Sequence, residues 1–208
     1  RLEPRMARSV VVWWHAGPHD SFGDRFLHDC TRPGEQFVAS RPPGVGSPVV
    51  TASRWVQAGE CCELTLALLW NPSTFQRKCV PLLGHYNPYV SVVCFDATGG
   101  DETRKLLGGE WLEQATIERR GAEDLDEPLP IVLVGVLPAE RLEQPTISEG
   151  QALAAAGRAS AYFECRLGDP SCTGYIEFMQ TAARLALGLG EDAEVALLPG
   201  EPRQCVVL

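Results

Sequence analysis

Four short segments of the chain are almost wholly apolar, three of them rich in β-branched residues: SVVVWW at 9–14, LTLALLW at 64–70, YVSVVCF at 89–95 and PIVLVG at 130–135, the second being rich in leucine instead. Each is short for a helix and is bounded by polar or turn-forming residues, so each reads as a strand buried in a sheet. Weaker strand patterns occupy 49–56 and 160–165. A turn at Gly59-Glu60 separates the 49–56 run from the 64–70 run, which predicts an antiparallel hairpin.

Helical patterns alternate with the remaining strands. Asp20 is a candidate N-cap for a helix carrying Phe22, Phe26 and Leu27. A second helix is predicted over 102–119, with Leu106, Leu107, Trp111, Leu112 and Ile117 toward a core. A third is predicted at 148–156, where Ser148 and Gln151 have the spacing of a capping box. The last covers 173–187, with Ile176, Met179, Ala183 and Leu187 inward and Gly188 and Gly190 as its stop. Strands alternating with helices after an initial hairpin predict an α/β domain with a mainly parallel sheet. The proline- and glycine-rich stretch 31–48 is predicted to be a long loop.

Composition narrows the possible functions. A chain of 208 residues is one domain or two small ones. Its net charge of −9, with no Lys/Arg cluster, excludes the electrostatic footprint of a nucleic-acid binder. Eight cysteines contain no CxxC pair, so zinc-ribbon spacing is absent and reduced cytosolic thiols are expected. Cys94 and Cys165 fall in strand patterns as small buried hydrophobes, and Cys62 is expected to face the core. No GxSxG elbow is present, and the histidines are His15, His19, His28 and His85, which argues against a Ser-His-Asp hydrolase. The carboxylates Glu118, Glu123, Asp124, Asp126 and Glu127 read as a solvated acidic segment. No apolar run opens the chain as a signal peptide would, and none approaches the roughly 18 residues of a membrane span. Met6 is a candidate start, with 1–5 as an extension ahead of it.

In parallel α/β sheets, ligands bind beyond the carboxyl ends of the strands. Those ends are predicted at 13–21, 71–76, 96–100, 136–139 and 166–168. Several strings there and in the neighbouring strands resemble the Ras superfamily of small GTPases, and within it most closely the Rho family. The longest is YFECRLGDPSCTGYIEFMQTAARLAL at 162–187, which is similar to the Rho strand ending in Glu-Cys-Ser-Ala-Lys and its following helix. CELTLALLW, VSVVCFD, Trp111 and PIVLVG follow the same order and spacing, and Cys205-Val206-Val207-Leu208 resembles the lipidation signal of that family. The helical insertion typical of Rho proteins is missing between Leu137 and Ser148.

The resemblance implies a small-GTPase (P-loop NTPase-like) fold: a six-stranded, mainly parallel sheet with one antiparallel edge strand and helices on both faces. It implies an N-terminal extension at 1–7, the GTPase-like domain at 8–188 and a flexible tail at 189–208. It also locates the positions where nucleotide chemistry would lie, and there the residues are wrong for it. A phosphate loop, GxxxxGK[ST], needs glycines that let backbone N–H groups wrap the phosphates, a Lys for their charge and a Ser/Thr for Mg²⁺. The aligned positions hold Trp13 and Pro18 for the glycines, His19 for the Lys and Asp20 for the Ser/Thr. Pro18 removes an amide donor, Asp20 repels phosphate and His19 is largely neutral at pH 7.

The second switch needs an Asp for Mg²⁺, a Gly amide for the γ-phosphate and a Gln for water. Asn71, Thr74 and Phe75 stand there, with Gln76 one position late. The base-recognition motif Asn-Lys-x-Asp is replaced by Val136, Leu137, Pro138 and Ala139, and Ser-Ala-Lys by Arg166, Leu167 and Gly168. For the Mg²⁺-binding Thr of the first switch, Ser47 and Thr51 are both candidates.

The expectation is therefore a pseudoGTPase: no catalytic residue, no bound cofactor and no metal. It would bind a protein partner through 31–48 and 71–89. The alternative is a divergent active GTPase that uses GTP/GDP with Mg²⁺, but no Lys is found to replace the phosphate anchor. A terminal Leu in C-a-a-X favours geranylgeranylation of Cys205. Between 190 and 204 only Arg203 stands against Glu191, Asp192, Glu194 and Glu201, so one lipid would give weak, reversible binding. The expected location is the cytoplasm, at the cytosolic face of a membrane when prenylated.

Overall fold

The computed structural model describes residues 6–15, 26, 38–40, 49–58, 60–70, 88–107, 129–138, 157, 159–168 and 173–198. In chain order these form β1 (Met6–His15), β2 (Val38–Ser40), β3 (Val49–Ala58), β4 (Glu60–Trp70) and β5 (Pro88–Asp96). Then come α1 (Gly100–Leu107), β6 (Ile131–Leu137), β7 (Ala159–Arg166), α2 (Thr173–Leu187) and β8 (Ala196–Leu197). The predicted helix at 148–156 lies outside the described residues, as do the end of the 102–119 helix and all but Phe26 of the helix after Asp20.

The strands form one sheet in the order β2-β3-β4-β1-β5-β6-β7, with β8 added to β3. β1 is central. It runs parallel to β4, with Val10 opposite Leu66, and parallel to β5, with Val10 opposite Val90. β6 and β7 continue the parallel part. The expected hairpin is present, antiparallel from Val50 opposite Leu68 to Ala58 opposite Glu60. The protein is thus a mixed α/β fold on a mostly parallel sheet.

The strand count differs from the sequence expectation of six. β2 arises inside the segment read as a loop, where Val38–Ser40 pairs with Val49–Thr51 of β3. β8 arises inside the segment read as a flexible tail, where Ala196 and Leu197 pair with Gln57 and Val56. Both additions are antiparallel to β3, so β3 is not the bare edge strand that was expected. Strands of two or three residues carry no periodicity, which is why the sequence pattern does not reveal them.

Burial explains the apolar runs. Val10 and Val12, Leu64, Leu66 and Leu68, Val90, Val92 and Cys94, and Val132, Val134 and Val136 share one face and one core. Side chains alternate along a strand, so Val11, Ala67, Val93, Phe95 and Leu133 belong to the other face, and they too are buried. Strands buried on both faces read as unbroken apolar runs. On the first face lies α2, with Tyr175, Phe178, Met179, Ala182, Ala183 and Ala186 in the core. The stripe runs one residue ahead of the predicted one at its start. Ile176 is 42% exposed because Tyr175 takes the inward position.

One close approach shapes the other face of the sheet. A Cβ at Gly135 would come within 2.7 Å of Tyr162 Oη, so the glycine lets Tyr162 lean across β6 to stack near Phe95, ring centroids 6.2 Å apart. At the carboxyl end of α2, Gly188 has φ 67° and closes a Schellman cap: Leu189 N–H donates to Arg184 O at 2.9 Å and Gly188 N–H to Leu185 O at 3.2 Å.

Arg8, in the amino-terminal half of β1, lies 4.1 Å above the Tyr89 ring. Its buried Nε has no hydrogen-bond partner among the described residues, and the ring face supplies the electrostatic contact.

Cys62, Cys94 and Cys165 are buried, as expected. Burial pushes the Cys94 thiol well above its ordinary value, and Cys165 adds to the shift. An exposed thiol ionises near about pH 8.5. The unfolded chain therefore releases this proton first, so the thiol's contribution to stability is complete below that range and fades as pH rises through it. Urea midpoints should fall between about pH 7.5 and 9.5, and the fall should be shallower in Cys94→Ala, whatever its starting stability. Parallel pH profiles for the two proteins would show that Cys94 is not the group responsible.

Candidate functional site

The parallel strands β4, β1, β5, β6 and β7 end at Trp70, His15, Asp96, Leu137 and Arg166, and these carboxyl ends define one edge of the sheet. β1 lies between β4 and β5, which the chain reaches on opposite sides of it. A change of direction of this kind opens a crevice beyond the strand ends, where α/β proteins place ligands.

Beside β1, His15 pairs with Phe95, so the residue after it in β5, Asp96, stands at this carboxyl edge of the sheet. Asp96 organises the exit from β5. Its Oδ1 accepts a hydrogen bond from Thr98 N–H at 2.8 Å and one from Thr98 Oγ1 at 2.6 Å. Its carbonyl accepts from Gly99 N–H at 3.1 Å and from Thr103 Oγ1 at 3.3 Å. A Cβ at Gly99 would collide with Thr103 Oγ1, and Gly100 has φ 61°, so both glycines serve the tight entry into α1. This carboxylate oxygen is committed to the turn.

At the far end, β6 and β7 are tied together past their last ladder pairs. Leu167 N–H donates to Leu137 O at 2.9 Å, and Arg166 Nη1 donates to Pro138 O at 3.2 Å. Tyr175 Oη, from α2, donates to Arg166 O at 3.1 Å. Within 96–100, 136–138 and 166–168 Arg166 is the one cation, and it is engaged with a carbonyl of the next strand end.

The positions singled out in the sequence fall as follows. Trp13 is within β1, opposite both Leu69 and Val93, and the strand runs on through Trp14 and His15. The segment aligned with a phosphate loop therefore begins as paired strand. Val136 and Leu137 belong to β6, which continues two residues past PIVLVG, and both are buried. Val136 is part of the main core. Thr51 is a ladder residue of β3, opposite Val38 and Ala67. Pro18, His19, Asp20, Asn71, Thr74, Phe75, Gln76, Ala139, Ser47 and Cys205 lie outside the described residues.

Of the two candidate partner segments, 31–48 contributes β2 and 71–89 contributes the first two residues of β5. The roles of Asp96 and Thr98 were not assigned from sequence. Asp followed two residues later by Thr, with Gly-Gly after it, is the available signal for such a turn.

Among the described residues, no three His, Cys, Asp or Glu side chains converge as a metal site. Nor is any helix among them long and apolar enough to cross a membrane. No protein-family model matches the chain, and no curated protein matches it as a relative.

Proposed function

We propose that this chain is a Ras-like, most nearly Rho-like, pseudoGTPase: a small-GTPase fold that acts as a fixed protein-interaction module. Six of its strands, β3, β4, β1, β5, β6 and β7, form a mainly parallel sheet with a single antiparallel member at one end, which agrees with the sheet the resemblance implies. The order of apolar runs and the match at 162–187 support the same fold.

One observation carries the loss of nucleotide chemistry. β1 remains in its ladder through Trp13 and Trp14, where a phosphate loop would have left the strand to wrap its ligand with backbone N–H groups. The sequence that follows, Pro18-His19-Asp20, supplies neither the missing amide nor the cation. At the base-recognition end, Val136 and Leu137 present buried apolar side chains at the positions aligned with the Asn and Lys of that motif.

Without a nucleotide to order and release them, 31–48 and 71–89 offer a constitutive surface to a protein partner. Cys205 is the proposed prenylation site within this reading, giving a weak and reversible hold on the cytosolic face of a membrane. The direct test is to denature purified protein and chromatograph the supernatant on an anion exchanger. The expected result is no released nucleotide. Near-stoichiometric GDP or GTP would restore a switching GTPase with an unusual loop.

A further inference from the structure

The segment after α2 alternates in its burial. Ala193 is half-buried, Glu194 exposed, Val195 buried at 4% exposure, Ala196 exposed and Leu197 half-buried. It is an extended strap whose plug, Val195, joins the main core, with Leu189 and Leu197 packed against that core on either side. Gly188 and Leu189 end α2 in the Schellman cap, and Ala193 N–H donates to Gly190 O at 3.1 Å, which turns the chain back. Gln180 Nε2, on α2, donates to Val195 O at 3.0 Å. Ala196 and Leu197 then pair with Gln57 and Val56 on the side of β3 away from β4.

We propose that residues 189–197 form a strap that opens as a unit, without unfolding the rest of the domain, and that bares the outer edge of β3 at Val56–Gln57 when it does. In the closed state the occupant of that edge is the chain's own 196–197. The balance of forces favours separability. Buried Val195, half-buried Leu189 and Leu197, one side-chain hydrogen bond and a two-residue ladder oppose the conformational entropy of the strap backbone, whereas β5 and β6 are buried on both faces. The exposed acidic side chains Glu191, Asp192 and Glu194 add no packing. Strap opening would thus make pairing at the β3 edge conditional, and the inference stands whether or not the domain binds nucleotide.

Native-state hydrogen exchange on the full chain tests it, comparing amides at 56–58 with those of β5 and β6. Val195→Asp places a charge at the plug and should speed exchange at 56–58 by about tenfold or more, with β5 and β6 unchanged. Gln180→Ala, which leaves the apolar packing intact, should shift the same amides in the same direction by a smaller factor. Equal acceleration in β5 and β6, or no change at 56–58 in either variant, would overturn the proposal. Failure of Val195→Asp to fold would overturn it too, because a separable strap can be lost without the core.

Discussion

Phe178→Ala should lower the unfolding free energy by about 3–5 kcal/mol, the usual cost of emptying a fully buried aromatic site. Phe178 is fully buried on α2, with its ring centroid 6.0 Å from Phe26 and 6.3 Å from Phe163 of β7. Phe26 in turn lies 5.6 Å from Tyr175. The aromatic group therefore joins the helix, the edge of the parallel sheet and a distant part of the chain, and no single neighbour can move in to fill the gap. Urea denaturation at constant slope measures the loss directly. Ile176→Ala, two positions earlier and 42% exposed, should stay within about 0.5 kcal/mol of the parent. A loss below about 1 kcal/mol for Phe178→Ala would mean that α2 does not present this face to the sheet.

Gly174→Ala should destabilise the protein by about 1–3 kcal/mol although helix propensity alone argues the opposite. In an exposed helix interior, alanine in place of glycine gains about 1 kcal/mol. Here a Cβ would collide with the carbonyl oxygen of Glu164, come within 3.2 Å of that carbonyl's carbon, and lie 3.5 Å from Cys165 Sγ. The obstruction is backbone in a strand, which cannot swing aside as the end of a side chain could. Gly174 thus sets the closeness with which α2 seats on β7, and with it the reach of Tyr175 Oη to Arg166 O at the carboxyl edge. A rise in the midpoint would show that the helix start stands off the strand.

How much of this was legible in the sequence follows from what burial and pairing leave behind in the residues. Strands buried on both faces leave unbroken runs such as Val10-Val11-Val12 and Ile131-Val132-Leu133-Val134, and these predicted the parallel sheet. The hairpin was legible because its turn is short. β2 and β8 were not, because three and two residues have no period and their pairing is decided by what lies beside them. The inward stripe of α2 was read from Ile176, whereas the helix buries Tyr175 and Phe178 instead. Helical spacing fixes a stripe only to within a residue when apolar side chains occupy adjacent positions.

At the candidate site, the chemistry missing from Val136 and Leu137 could be read directly, but the extension of β6 through them could not. The use of Asp96 as a turn anchor has a local signal in Thr98, which bonds its carboxylate, whereas the bond from Thr103 to its backbone carbonyl forms only once α1 starts.

Calorimetric titration of GDP with Mg²⁺ into the purified full chain addresses the proposed loss of nucleotide binding most directly. The expected result is no saturable heat at nucleotide concentrations up to about 1 mM, which corresponds to a binding free energy weaker than about −4 kcal/mol. Stoichiometric binding with a dissociation constant near or below about 1 μM would require a phosphate anchor that neither Pro18-His19-Asp20 nor the paired end of β1 provides, and would contradict the pseudoGTPase reading.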